Sequence, residues 1–157
     1  MSKVTAAALA AHPFLHDMSL AHLAALAEAS SDVTFPARYR LFEDGASATR
    51  FWLIRSGSVA LDLHVPGEER VRIDTIGAGE LVGWSWLFPP YEWAFGAIVA
   101  SPVEAFEFDA KAVRASCASD GTLDSEVTLR VARVLAKRLQ STRVRLITAS
   151  IHPVGTR

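Results

Sequence analysis

Twelve consecutive residues carry the densest chemistry in this chain of 157. Trp84, Trp86, Phe88, Tyr91, Trp93 and Phe95 are six of its fourteen aromatic residues and include three of its four tryptophans. Indole and phenol rings offer large rigid apolar surface with one polar handle each. Such a run suits the wall of a pocket for a flat or apolar ligand, or a packed interior. A docking patch for a protein partner fits less well, because six exposed rings would invite aggregation.

Other reactive side chains are sparse. His12 and His16 have the i, i+4 spacing of metal ligands, but Pro13 interrupts the helix between them and no Cys or acidic cluster completes a set, so no metal is expected. His64 alternates with apolar neighbours, which reads as a packed or surface histidine, a pH-sensing role being the alternative. Cys117, the single cysteine, falls on the apolar side of a short helix and reads as a small buried hydrophobe. One cysteine excludes an intramolecular disulfide and fits a reducing compartment. The chain has no glycine-rich phosphate loop opening a helix, no Gly-x-Ser-x-Gly elbow and no His-Glu-x-x-His pattern. No enzyme is expected.

The elements that must hold these residues change character twice. Between Thr5 and Ser30, Leu9, Phe14, Leu15, Met18, Leu20, Leu23 and Leu26 recur at helical spacing, interrupted at His12-Pro13 and restarted by Asp17 or Ser19 as N-cap. Two short helices are expected over 1–31. From 32 to 109, glycines separate short runs rich in β-branched and aromatic residues: Phe51–Ile54, Val59–Val65, Val71–Ile76, Ala94–Ala100 and, after a break at Ser101-Pro102, Val103–Phe108. Pro66-Gly67-Glu68-Glu69 reads as a hairpin turn. Many short strands in one domain of this size argue a barrel or a double-sheet jelly roll, mainly β with flanking helices. Residues 110–150 return to helix, with Asp109 capping Ala110–Cys117 and Thr122 capping a helix from Leu123 to about Ala149.

That last helix spans roughly 27 residues, about 40 Å, which exceeds one face of so small a domain. Leu123, Val127, Val131, Val134, Leu135, Leu139, Leu146 and Ile147 form its apolar stripe, and a homodimer through this stripe is expected. A helix folded wholly onto its own barrel is the alternative.

The formal net charge of −1 hides an asymmetry. Residues 1–125 sum to −7 and residues 126–157 to +6. A solvated basic face beside an acidic body accounts for this, and nucleic-acid binding by Arg130, Arg133 and Lys137 is the weaker reading, since the same helix must bury its stripe. The length suits a single domain, 1–157, able to bury about two-thirds of its surface. No signal peptide is legible and no apolar stretch reaches the ~18–20 residues of a membrane span, so a cytoplasmic location is expected.

Four segments, in order and spacing, resemble the cyclic nucleotide-binding domain of the catabolite activator and nitrate/fumarate regulator family. They are His12-Pro13-Phe14; Leu41-Phe42-Glu43-Asp44-Gly45; Phe51-Trp52-Leu53-Ile54-Arg55-Ser56-Gly57-Ser58-Val59; and Ile76-Gly77-Ala78-Gly79-Glu80-Leu81-Val82-Gly83. The resemblance implies a β-roll (a jelly roll or double-stranded β-helix) with a ligand pocket inside it. It also implies a long C-terminal helix that senses pocket occupancy and makes a dimer. Family members that bind haem would want Cys or His at the pocket, and the aromatic loop has neither.

The pocket positions depart from the family pattern. Nucleotide-binding members place a glutamate for the ribose just after the glycine at position 83, and about nine residues later an arginine for the cyclic phosphate. Here Trp84 stands at the first position, and Trp93, or Glu92 with a one-residue shift, at the second. A buried phosphate needs a cation, and neither indole nor carboxylate supplies one. Lys137-Arg138-Leu139-Gln140-Ser141-Thr142 does match the family's helix, in which an arginine and a threonine at i+4 approach the ligand. Arg138 is equally well read as a surface arginine. The candidate ligand-binding set is therefore Ile76, Gly83, Trp84, Ser85, Trp86, Trp93, Ala94, Arg138 and Thr142.

A stand-alone sensor domain is expected, binding a small apolar or aromatic ligand, or none, in place of ordinary cyclic AMP or cyclic GMP, with an unidentified protein partner reading the long helix. Two alternatives stand beside it. One is an adaptor with a collapsed, ligand-free roll; the other is a true cyclic-nucleotide binder using Arg138 in place of the loop arginine. Only seven residues, 151–157, follow the helical region, too few for a helix-turn-helix, so no direct DNA contact is expected.

Overall fold

The computed structural model describes residues 3–151. The N-terminal segment forms α1 (Ala6–Ala10), a 3-10 turn (Pro13–Leu15) and α2 (Leu20–Glu28). Thr5 and Ser19 cap the two helices through side-chain oxygens, so the restart belongs to Ser19 and not to Asp17. His12 ends the first segment as a strut. Its Nδ1 accepts from the Phe14 amide at 3.2 Å and its Nε2 donates to the Ile54 carbonyl at 2.8 Å.

Six strands follow: β1 (Ser30–Phe35), β2 (Arg40–Phe42), β3 (Arg50–Leu63), β4 (Val71–Ile76), β5 (Leu81–Val82) and β6 (Gly96–Asp109). All pairings are antiparallel, in the order β1-β6-β3-β4, with β2 on β6 and β5 on β3. The expected pairs of short strands at 51–65 and 94–108 are each one 14-residue strand. The signals read as breaks are bulges. The register between β3 and β6 shifts around Ser56 and Ser58, where Gly57 has φ +87° and a Cβ would run into the Pro102 carbonyl. Positive φ and this close approach leave only glycine at 57. The two long strands thereby bend into a roll without ending.

Two helices close the chain, α3 (Ala110–Ser119) and α4 (Gly121–Ile151). Asp109 caps α3 as expected. Asp120, not Thr122, caps α4: its Oδ1 accepts from the Thr122 and Leu123 amides at 3.1 and 3.3 Å. The predicted stripe on α4 divides. Leu123, Val127 and Val131 are buried in the chain's own core, so Val127 and Val131 offer no face to a second copy. Val134 and Leu135 are half-buried, whereas Leu139 and Leu146 are 54% and 65% exposed. The physical reason is chemical: beyond Leu135 the 31-residue helix meets the roll through the polar side chains Arg138 and Arg145, and its leucines lie on the other face.

The core runs through the roll as stacked rings. Phe108, Phe51 and Trp86 lie face to face, with centroids 4.7 and 4.1 Å apart. Residues 152–157, the segment on which the absence of a helix-turn-helix was read, lie outside the described residues.

Candidate functional site in the roll

The turn leaving β5 positions the site. Gly83 has φ +97°, and a Cβ there would lie 2.7 Å from Cη2 of Trp93. The backbone turns under the indole because position 83 carries no side chain. The 3-10 turn Ser85–Leu87 then swings the chain outward, and residues 91–93 return antiparallel to 46–48: Ala48 donates to the Tyr91 carbonyl at 2.7 Å and Trp93 to the Ala46 carbonyl at 2.9 Å. This pairing delivers Trp93 to the mouth of the roll.

Trp93 is 5% exposed and lies flat on Phe42, centroids 3.8 Å apart. Phe42 in turn stacks on Trp52 at 5.8 Å. Phe42 carries as much of the site as Trp93, although in the sequence it stands out only as part of the Leu41–Gly45 segment. An aromatic residue in a strand facing the tryptophan-rich loop was the available signal. The remaining space bounded by Phe42, Leu61, Gly83, Trp84, Ser85, Trp93, Ala94, Phe95 and Arg138 measures about 20 Å³. That is room for about one water, whereas small-ligand sites run from about 300 Å³ upward.

The nominated residues do not all converge. Gly83, Trp84, Ser85, Trp93, Ala94 and Arg138 line this residual space. Trp84 is half-buried and edge-on to Phe88, centroids 6.1 Å apart. Trp86 does not line the space. It belongs to the core stack on Phe51, and its Nε1 donates to the Gly83 carbonyl at 3.0 Å. Thr142 does not line the space either; the residue is exposed, and its hydroxyl donates back to the Arg138 carbonyl at 2.9 Å, a local helix bond. Ile76 lines a different space.

Arg138 stands between the two. One guanidinium nitrogen donates to the Leu81 carbonyl. On its outer side lies a groove of about 590 Å³ between β4 and α4, lined by Asp74, Ile76, Glu80, Lys137, Arg138 and Arg145 among others. Burial pulls the Arg138 pKa down, and the carboxylates of Glu80 and Asp74 oppose that pull. The guanidinium keeps its charge, because an arginine starts far above neutral pH. Arg138 thus lies against the roll and lines both spaces, and a protein carbonyl already takes one of its donors.

A second cluster, missed in the sequence, joins β2, the end of β3 and the start of β6. Asp62 accepts two bonds from Arg40, at 2.8 and 2.9 Å, and lies 3.0 Å from Arg70, which also pairs with Asp44. Burial pushes the Asp62 carboxyl up, but hydrogen bonds from the two arginines overcome this and leave it below the usual carboxylate range. Gly96 lies beneath the group, and any Cβ there would collide with Arg70 and Asp62. These charges neutralise one another and leave no free cation for a phosphate.

Among the described residues there is no cluster of three or more His, Cys, Asp or Glu able to hold a metal. No helix among them is long and apolar enough to cross a membrane. Burial raises the Cys117 thiol to about 11, which keeps it protonated and inert.

Comparison with known proteins agrees with this architecture. The chain is 28% identical over 120 residues to the CRP-like cAMP-activated global transcriptional regulator of Mycobacterium tuberculosis, covering 76% of this chain and 52% of the relative. It thus spans about half the length of the curated relatives it matches. Among solved structures, a Geobacter metallireducens protein described as cyclic nucleotide-binding superposes with a TM-score of 0.79 at 20% identity, over 87% of this chain and 98% of that one. The Thermus thermophilus catabolite activator protein gives 0.67 at 23% identity, over 88% and 63%. The model of the cyclic nucleotide-binding domain matches residues 32–120, more than half of the chain, and the chain belongs to that family.

Proposed function

We propose that this regulatory domain carries its own side chains where its relatives hold a ligand, and that it does not bind ordinary cyclic AMP or cyclic GMP. The observation that carries this is the Trp93–Phe42 stack, which leaves about 20 Å³ at the mouth of the roll. The positions that would meet a ribose and a phosphate hold Trp84 and Trp93, and Arg138 is bonded to Leu81. A ligand would have to break a buried ring stack and strip a carbonyl of its donor before making any contact of its own.

Output in this reading passes through α4. Its first half is part of the roll's core, whereas its second half meets the roll through Arg138 and Arg145 and leaves Leu139, Leu146, Ile147 and Ile151 all more than half exposed. An apolar helical face of that size is satisfied by pairing with α4 of a second copy or by a protein partner. The adaptor reading is thus favoured over a sensor with an open roll. Ligand sensing keeps one place, the outer groove of about 590 Å³ beside Arg138, whose volume suits a small molecule.

Thermal unfolding in millimolar cyclic AMP or cyclic GMP tests the proposal. No shift in midpoint is expected, and a saturable rise of several degrees with either nucleotide overturns it.

A further inference from the structure

The segment 127–151 of α4 carries six basic residues and no acidic one. Three of the six are engaged by the chain itself. Arg130 donates to the Phe14 carbonyl at 2.9 Å and faces Glu126 at 3.5 Å; Arg138 donates to Leu81; Arg145 donates to the Ile73 carbonyl at 3.2 Å with Asp74 at 3.8 Å. Arg143 is exposed and has no hydrogen bond or ion pair among the described residues.

Its place on the helix is specific. Leu129, Ala132, Ala136, Leu139, Arg143 and Leu146 follow the alternating three-and-four spacing of a coiled-coil seam, and each is exposed on this chain. The two alanines allow close approach of a partner backbone, and the leucines supply the apolar contact. Arg143 occupies a seam position where an apolar residue would otherwise sit. In a closed two-fold pair with parallel helices, each seam residue meets its own counterpart, so two guanidiniums converge. The flanking positions on either side are Arg133, Gln140, Thr128, Leu135 and Thr142, none of them a carboxylate. Neither helix can neutralise the other.

We propose that a small multivalent oxyanion of the phosphate class binds between the two Arg143 side chains and completes the α4 pair. The inference rests on the pairing of α4 with a second copy put forward above. Two planar guanidinium forks offer paired donors from opposite sides, the geometry that a tetrahedral oxyanion accepts, and the anion removes the like-charge repulsion at the seam.

Sedimentation velocity of the full chain, in sodium phosphate and in sodium chloride at matched pH and ionic strength, tests this. The wild type is expected to dimerise about tenfold more tightly in phosphate, the scale of charge-assisted hydrogen bonds. Arg143→Leu is expected to dimerise equally well in both salts. Equal wild-type dissociation constants in the two salts overturn the anion site and leave the pairing intact, as an antiparallel pair with Arg143 against Ala132 would predict. A phosphate response that persists in Arg143→Leu also overturns it, since phosphate would then be acting only as an excluded salt on apolar surface. A protein that stays monomeric in every arm overturns the pairing and the anion site together.

Discussion

Trp93 and His12 show how single side chains fix the character of the roll. Trp93 fills the mouth because Gly83 leaves it room and Phe42 gives it a flat partner. Trp93→Ala should lower stability by roughly 3–5 kcal/mol, the range for removing a buried large aromatic, and chemical denaturation read by circular dichroism would measure it. A loss below about 1 kcal/mol would mean that the ring is not packed as described. His12 is held neutral: burial lowers its pKa, the repulsion of Arg55 adds to this, and the Ile54 bond only partly opposes them. Because its folded pKa lies below the ordinary 6.5, the unfolded chain binds the proton more readily, and stability is lost as pH falls below about 6.5. Melting temperature should therefore decline from pH 7 to pH 5 in the wild type and decline less in His12→Gln. The sequence singled out the loop tryptophans and the absence of an arginine, but not which way the rings point. That direction depends on Phe42, some fifty residues away, and on a backbone pairing between 46–48 and 91–93 that no local pattern announces.

At the scale of elements, the roll is built by two long strands that bend without ending. Glycine and proline signals at Gly57 and Ser101-Pro102 read as strand ends because a bulge and a turn use the same residues. Only the close approach of Gly57 to the Pro102 carbonyl, across two strands, distinguishes them. The Arg40–Asp62–Arg70 group was equally hidden, since three charges scattered over thirty residues look like solvated surface until β2, β3 and the β3–β4 hairpin bring them together. Asp62→Asn leaves Arg40 without a carboxylate and Arg70 with Asp44 alone, and should cost roughly 3 kcal/mol, the low end for a buried pair because the arginines remain about a quarter exposed. The depressed Asp62 pKa gives this contribution a pH window. It is present above the ordinary value of 3.8 and fades as pH falls below it, so acid titrations of wild type and Asp62→Asn should converge below about pH 3.8. Curves that stay parallel well below that pH would contradict the assignment.

For the molecule as a whole, the helical ends, the strand-rich middle and the basic C-terminal fifth were all legible, because hydrophobic period and charge run are local properties. The division of α4 was not. Its stripe is continuous in sequence, and only the packing of the helix against the roll decides that Val127 and Val131 face inward while Leu139 and Leu146 do not. Leu139→Asp should shift the protein to monomer in sedimentation while leaving its circular dichroism unchanged, since more than half of the residue is exposed on its own chain. A variant that remains dimeric would move the interface elsewhere. The claim on which the rest depends is that the roll of this cyclic nucleotide-binding family member is occupied from within. Isothermal titration calorimetry of cyclic AMP into the wild-type protein tests it most directly. The account predicts no saturable heat up to millimolar nucleotide, and one-site binding with a micromolar dissociation constant would contradict it.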